Sequence, residues 1–247
     1  MSLEAVRHIP NWLMRNVPDP CTPLSHVLST SQLRAGPGWV AQRQRRSNIL
    51  AAARLLMARS SLEEVHLQEV ASHCGISVPT IYNIIGRRAE MMDASAREWV
   101  AAIAAVARRD AEALGTNAIY TMLAMCWSSA LTESSYVDSA VRSNLSTSAP
   151  LRQAFLAAGT REHLHDFIAL QRAGAVREGV DIAALSRQLA MSAYATICNF
   201  AVDRYDVEHF RRELAFGPGL MLMGALVGDQ RVCLERQIFD EEAGSSV

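Results

Sequence analysis

The stretch Leu67–Met92, LQEVASHCGISVPTIYNIIGRRAEMM, constrains this chain more than any other. It reads as a short helix, a glycine turn, and a second short helix that Ser77 opens and whose first turn holds Pro79. A third helix begins near Arg88. Ala71 is small enough for the second helix to cross the first closely. Gly75 supplies the positive φ that ends the first helix, while Ile76, Ile81 and Ile84 seal the angle between the two. This is the spacing of a helix-turn-helix. Leu67, Val70, Ala71 and Cys74 are expected inside, with Gln68, Glu69, Ser72 and His73 facing solvent. The Ser77 hydroxyl is expected to accept a backbone N–H one turn on. Val78, Pro79, Thr80, Tyr82 and Asn83 then project opposite, or beside, the buried Ile81. Thr80 and Tyr82 can donate to phosphate, and Val78 and Asn83 can address base edges. Arg87 and Arg88 follow just past the helix, well placed for backbone phosphates.

Charge distribution points the same way. The 247-residue chain has a net charge of only −1, yet Gln42–Arg97 carries eight arginines against five acids, a local +3, which leaves −4 elsewhere. All 24 basic residues are arginine; their spread along the chain fits codon bias better than a phosphate site. Three of them, Arg43, Arg45 and Arg46, crowd the start of a helix read over Val40–Arg59. Cations there oppose the helix dipole, as an anionic partner or a solvated face would allow.

Other chemistries find little support. The five cysteines (21, 74, 126, 198, 233) are scattered and form no C-x-x-C pair, so neither a metal framework nor a disulfide scaffold is expected, and reduced thiols in a cytoplasmic protein are. No secretory signal is read in Met1–Trp12. The longest apolar run, Leu214–Gly228, is broken by Gly217-Pro218-Gly219 and falls short of the ~20 residues of a membrane helix. There is no nucleophile elbow, glycine-rich phosphate loop or H-E-x-x-H, so neither an enzyme nor a cofactor is expected. His163 and His165, at i and i+2, point to different helix faces: one inward near Phe167, the other to water, with no shared metal.

The chain divides into four parts by composition and periodicity. Residues 1–40 hold five of the eight prolines and read as an extended or partly disordered arm. Residues 41–88 form the helix-turn-helix domain, 89–240 a helical domain, and 241–247 a polar tail. Met92, Ala96, Trp99, Ile103 and Val106 mark a long helix that Leu114-Gly115 ends. Further helices are read over Asn117–Thr132, Tyr136–Ser146 and Leu151–Ala175, then through Leu185–Phe200, and again through Phe210 and Leu214. The fold class expected is all-α.

Ile49–Met92 resembles the DNA-binding domain of the TetR family of transcriptional regulators. Ile49-Leu50, Ala53, Val70-Ala71, Gly75-Ile76-Ser77, Thr80-Ile81-Tyr82, Ile85, Arg88 and Met92 keep the family's spacing. The departures are Pro79 before the threonine, Ile84 for a phosphate-touching histidine or tyrosine, and Ile85 for a packing phenylalanine. Arg88 stands for a lysine, Ser61 for a glycine, and His66 for a threonine that caps the second helix. The resemblance implies DNA contacts from Arg46, His66, Gln68, Ser77, Val78, Pro79, Thr80, Tyr82, Asn83, Arg87 and Arg88. It also implies a C₂ homodimer on a palindromic operator, a four-helix dimer contact, a small-molecule effector and no membrane. Leu185, Leu189, Ser192, Ala193, Thr196, Phe200, Phe210 and Leu214 would form the dimer contact. The effector pocket, whose existence comes from the resemblance, draws its candidate lining from apolar helix faces: Trp99, Met122, Met125, Cys126, Trp127, Phe155, Phe167, Met191 and Tyr194. The expected function is a repressor released by a small, mainly apolar ligand. Ile84 and Ile85 leave a second reading open, a TetR-like dimeric ligand-binding or interaction protein with weakened or lost DNA binding.

Overall fold

The computed structural model describes residues 17–28, 37–60, 65–131, 136, 149–203, 213 and 215–239. Apart from one antiparallel bridge between Val176 and Leu226, the regular elements among them are helical, and the fold is all-α. The helices are α1 (Pro37–Arg59), α2 (Leu67–Cys74), α3 (Val78–Ile84), α4 (Arg88–Leu114), α5 (Ala118–Leu131), α6 (Ala149–Arg172), α7 (Ile182–Asp203), α8 (Leu220–Ala225) and α9 (Gly228–Phe239). A π-helical turn, Ala215–Gly219, with Pro218 inside it, precedes α8. Residues 1–16, 29–36 and 240–247 of the expected arm and tail lie outside the described residues, as do Phe210 and Leu214, all but Tyr136 of the helix expected over Tyr136–Ser146, and the side chains of Trp127 and Phe200.

Two compact units are present. The first comprises Pro18–Ala105 with Ser129–Ala158. Its buried face holds Ile49, Leu50, Ala53 and Met57 of α1 together with Leu67, Val70 and Ala71 of α2, Ile81 of α3, and Met91 and Met92 of α4, whereas Cys74, expected inside, is half-buried. α2 packs on both α1 and α3. Each fully buried aliphatic side chain here contributes roughly 1.5–3 kcal/mol.

Residues 18–28, the end of the proline-rich leader, dock on α1. Leu24 is fully buried, and the backbone N–H groups of Leu24 and Ser25 both donate to Ser47 Oγ, at 2.9 and 3.0 Å. Arg54 is the hub of this contact and has no exposed surface. Its Nε donates to the Pro20 carbonyl, Nη2 to the Thr22 carbonyl at 3.2 Å, and Nη1 pairs with Glu98 of α4 at 2.9 Å. The sequence count treats Arg54 as part of a local positive surface; inside the protein its charge is spent on Glu98.

The second unit comprises Met1–Val17, Val106–Ser128 and Gly159–Val247. Asn117 caps α5, its Oδ1 accepting the Tyr120 N–H at 3.0 Å. Gln237 of α9 is buried beneath it, accepting the Asn117 N–H at 2.8 Å and donating to Thr121 Oγ1 at 2.9 Å. α6 and α7 approach so closely that a Cβ on Gly159 would lie 3.3 Å from that of Ala190. The bridge between Val176 and Leu226, flanked by Arg177 N–H to Ala225 at 2.8 Å and Val227 N–H to Ala175 at 3.0 Å, ties the turn before α7 to the end of α8.

Candidate nucleic-acid interface

The turn between α2 and α3 is a Schellman cap. Gly75 sits at φ 64°, ψ 32°, its N–H reaches Ser72 and the Ile76 N–H reaches Ala71, at 3.2 and 3.0 Å. At the other end of α2, His66 sits at the N-cap with extended backbone, and Glu69 accepts its N–H at 3.1 Å in the reciprocal half of a capping box.

Ser77 starts α3 with extended backbone, as expected of an N-cap, but its hydroxyl makes no bond to a backbone N–H. It pairs instead with Thr80 Oγ1 at 2.9 Å. Pro79 explains the difference: it removes one N–H of the first turn, and the Thr80 N–H is already taken by the Ser77 carbonyl at 3.0 Å.

α3 then shows a two-sided helix. Ile81 is fully buried; Pro79, Tyr82 and Asn83 are exposed, with Tyr82 keeping 49% of its surface; Val78, Thr80 and Ile84 lie between these limits. Ser77, His66, Gln68 and Arg87 are exposed around it, and Arg46 is half-buried on α1. These groups offer hydroxyls, an amide and cations from one unit, the donor set that phosphate and base edges accept. Arg88 has a structural duty. Its Nε donates to the Val65 carbonyl at 2.8 Å and braces the start of α4 against the segment entering α2. Gly86 shapes the exit of α3: it lies at φ 119°, and a Cβ there would fall 2.0 Å from Glu90 Oε2. Glu90 folds back to accept the Arg87 N–H.

The candidate ligand residues fall into different settings. In the first unit Trp99 meets two rings edge-on, Tyr136 at 5.8 Å and Phe155 at 6.1 Å between centroids. Tyr136, which sequence periodicity did not single out, is fully buried, and among the described residues neither its hydroxyl nor Trp99 Nε1 has a hydrogen-bond partner. In the second unit Met122, Met125 and Phe167 are buried, Tyr194 is half-buried, and burial pushes the Cys126 thiol up to about 12, which keeps it protonated. Met191, in contrast, is 52% exposed on α7. His163 is buried and His165 exposed, and desolvation lowers the His163 pKa to about 4. Among the described residues no group of three His, Cys, Asp or Glu side chains could hold a metal ion.

The candidate dimer residues are also unevenly placed. Leu189, Ala193 and Thr196 are buried within the single chain, whereas Leu185 and Ser192 are half-buried. The apolar surface left open nearby belongs to Met191 of α7, Phe216 of the π-helical turn and Leu220 of α8, at 52%, 70% and 50% exposure. No helix among the described residues is long and apolar enough to cross a membrane.

No protein-family model matches the chain, and no curated protein matches it. Solved structures do. One is Thermus thermophilus FadR, described as a TetR-family transcriptional repressor in complex with lauroyl-CoA. It is 19% identical with a TM-score of 0.53, over 74% of this chain and 96% of that one. A Rhodococcus sp. protein described as a TetR-family transcriptional regulator is 17% identical with a TM-score of 0.52, over 72% of this chain and 98% of its own. At such identities the likeness is one of fold, and the fold is TetR-like.

Proposed function

From the premise of a TetR-like fold, we propose that this chain is a dimeric DNA-binding transcriptional regulator, a repressor released by a small, mainly apolar ligand. The observation that carries the reading is the division of α3 into a buried Ile81 and an outward Pro79, Tyr82 and Asn83. Two such helices in a C₂ dimer would enter successive major grooves with half-sites about 34–36 Å apart. DNA contacts fall to Arg46, Gln68, Ser77, Val78, Thr80, Tyr82, Asn83 and Arg87, with Pro79 and His66 at the edges. Arg88 acts through its brace to Val65.

The ligand reading draws on Trp99, Tyr136 and Phe155. Unpaired Nε1 and hydroxyl groups in an aromatic setting favour an apolar molecule carrying a hydrogen-bond acceptor. A ligand of this kind shifts the regulator only through different affinities for its DNA-competent and incompetent conformers. The dimer reading rests on α7 and the segment around α8, with Met191, Phe216 and Leu220 supplying apolar area.

Random-site selection with the purified chain tests the proposal. Enrichment of a two-fold palindrome supports it. Selection that enriches no sequence favours the second reading, a TetR-like dimer without DNA recognition, to which the internal use of Arg88 and the half-buried Ile84 lend weight.

A further inference from the structure

A cleft of about 370 Å³ lies in the first unit, between α1 and the turn that joins α2 to α3. Gln44, Arg45 and Asn48 of α1 give it a polar wall, and Ile49 and Ile76 an apolar one. Ile76 immediately precedes Ser77, so the cleft adjoins the start of α3. No carboxylate lines it, and burial raises the pKa of the Cys74 thiol in its wall, which therefore stays neutral.

The arginines crowded near the start of α1 are not employed alike. Arg43 stacks on Trp39, 5.3 Å from the ring centroid, and donates to the Leu28 carbonyl. Arg45 is exposed and has no hydrogen bond or ion pair among the described residues. α1 itself, Pro37–Arg59, contains no acid that could pair with it. Asn48 lies one turn further on the same helix face, and the docked leader orients it. Ser25 Oγ donates to Gln44 Oε1 at 2.5 Å, and Gln44 Nε2 donates to Asn48 Oδ1 at 2.8 Å. With Oδ1 engaged as acceptor, Asn48 offers its Nδ2 as donor. A cation in this cleft would meet no counter-charge, and a wholly apolar molecule would take water from Arg45 and return nothing. A guanidinium and an amide donor on one helix face suit the oxygens of a phosphate.

We propose that this cleft receives a phosphate of the DNA backbone flanking the base pairs under α3, with Arg45 as its charged contact and Asn48 as its neutral one. The inference rests on the DNA-binding reading and adds to it an anchor outside the helix-turn-helix. Fluorescence anisotropy of the full chain with labelled duplexes, one of the enriched sequence and one unrelated, read across a range of salt concentrations, tests it. Arg45→Gln is expected to weaken both duplexes about tenfold and to lower the slope of log K against log salt by roughly one contact. Arg45→Lys, which keeps the charge, is expected to keep the slope. Asn48→Ala is expected to weaken binding roughly threefold with the slope unchanged, because a neutral donor displaces no counterion. Both side chains are exposed, and the variants are expected to melt as the parent does. Parent-like affinity and slope from Arg45→Gln, with the parent binding duplex, would overturn this contact alone. A parent that binds no duplex would overturn the DNA reading with it. Inorganic phosphate that binds saturably by phosphorus NMR and is lost in Arg45→Gln, without change in duplex affinity, would give the cleft to a free anion and overturn the proposal.

Discussion

Arg54 has no exposed surface, and among the described residues its charged partner is Glu98 at 2.9 Å. Arg54→Met would leave that glutamate nearly buried and uncompensated and would free the Pro20 and Thr22 carbonyls. It should cost about 3–5 kcal/mol in a denaturant melt, and Arg54→Met with Glu98→Gln should recover part of the loss. No sequence pattern announces this arginine as structural, because the partners that bury it lie 32 to 44 residues away. His163 offers a second test at this scale. Its folded pKa of about 4 lies below the usual 6.5, so only the unfolded chain takes up the proton between those values. Stability is therefore complete above about pH 6.5 and falls as pH drops toward 4. His163→Gln should flatten that acid limb in melts taken across the window; an unchanged slope would assign the acid sensitivity to other groups.

At the level of elements, α2, its turn and α3 were legible in the sequence because their determinants are local. Gly75 must accept positive φ, and Ile81 is the one fully buried position of α3. Gly86 is as strict, though it carries no periodic signal. Gly86→Ala would force an alanine to φ 119° and drive its Cβ into Glu90. A loss of about 1–3 kcal/mol in thermal unfolding is expected, and of DNA affinity with it, since Glu90 holds the Arg87 N–H. α7 was only half legible. Periodicity marks Leu189, Ala193 and Thr196 as one apolar face but does not say what covers it. The close crossing of Gly159 and Ala190 shows a neighbouring helix of the same chain against this part of α7. The dimer contact proposed here therefore moves to the exposed side, and Met191→Asp or Leu220→Asp should yield monomers in sedimentation without lowering the melting temperature of the subunit. Ala193→Asp, being buried, should instead destabilise the chain itself. Monomer from Ala193→Asp alone, with both surface variants still dimeric, would return the contact to the inner face.

For the whole molecule, a net charge of −1 means that the proposed DNA binding would draw not on bulk attraction but on charge local to the face around α3. Arg54 and Arg88 are drawn into internal bonds, so the cations facing outward there are fewer than the sequence count of eight arginines over Gln42–Arg97 implies. Binding should accordingly be salt-sensitive but shallow, and Arg87→Ala should lower the slope of log K against log salt by roughly one contact. The proposal that the outward face of α3 reads base edges is decided by measuring Asn83→Ala and Tyr82→Ala on the selected operator and on versions varied one base pair at a time. Asn83→Ala is expected to cost about 1–3 kcal/mol on the operator and to relax preference at one position per half-site, while Tyr82→Ala weakens all versions alike. Wild-type affinities from both variants, or no duplex bound by the parent chain, would contradict it.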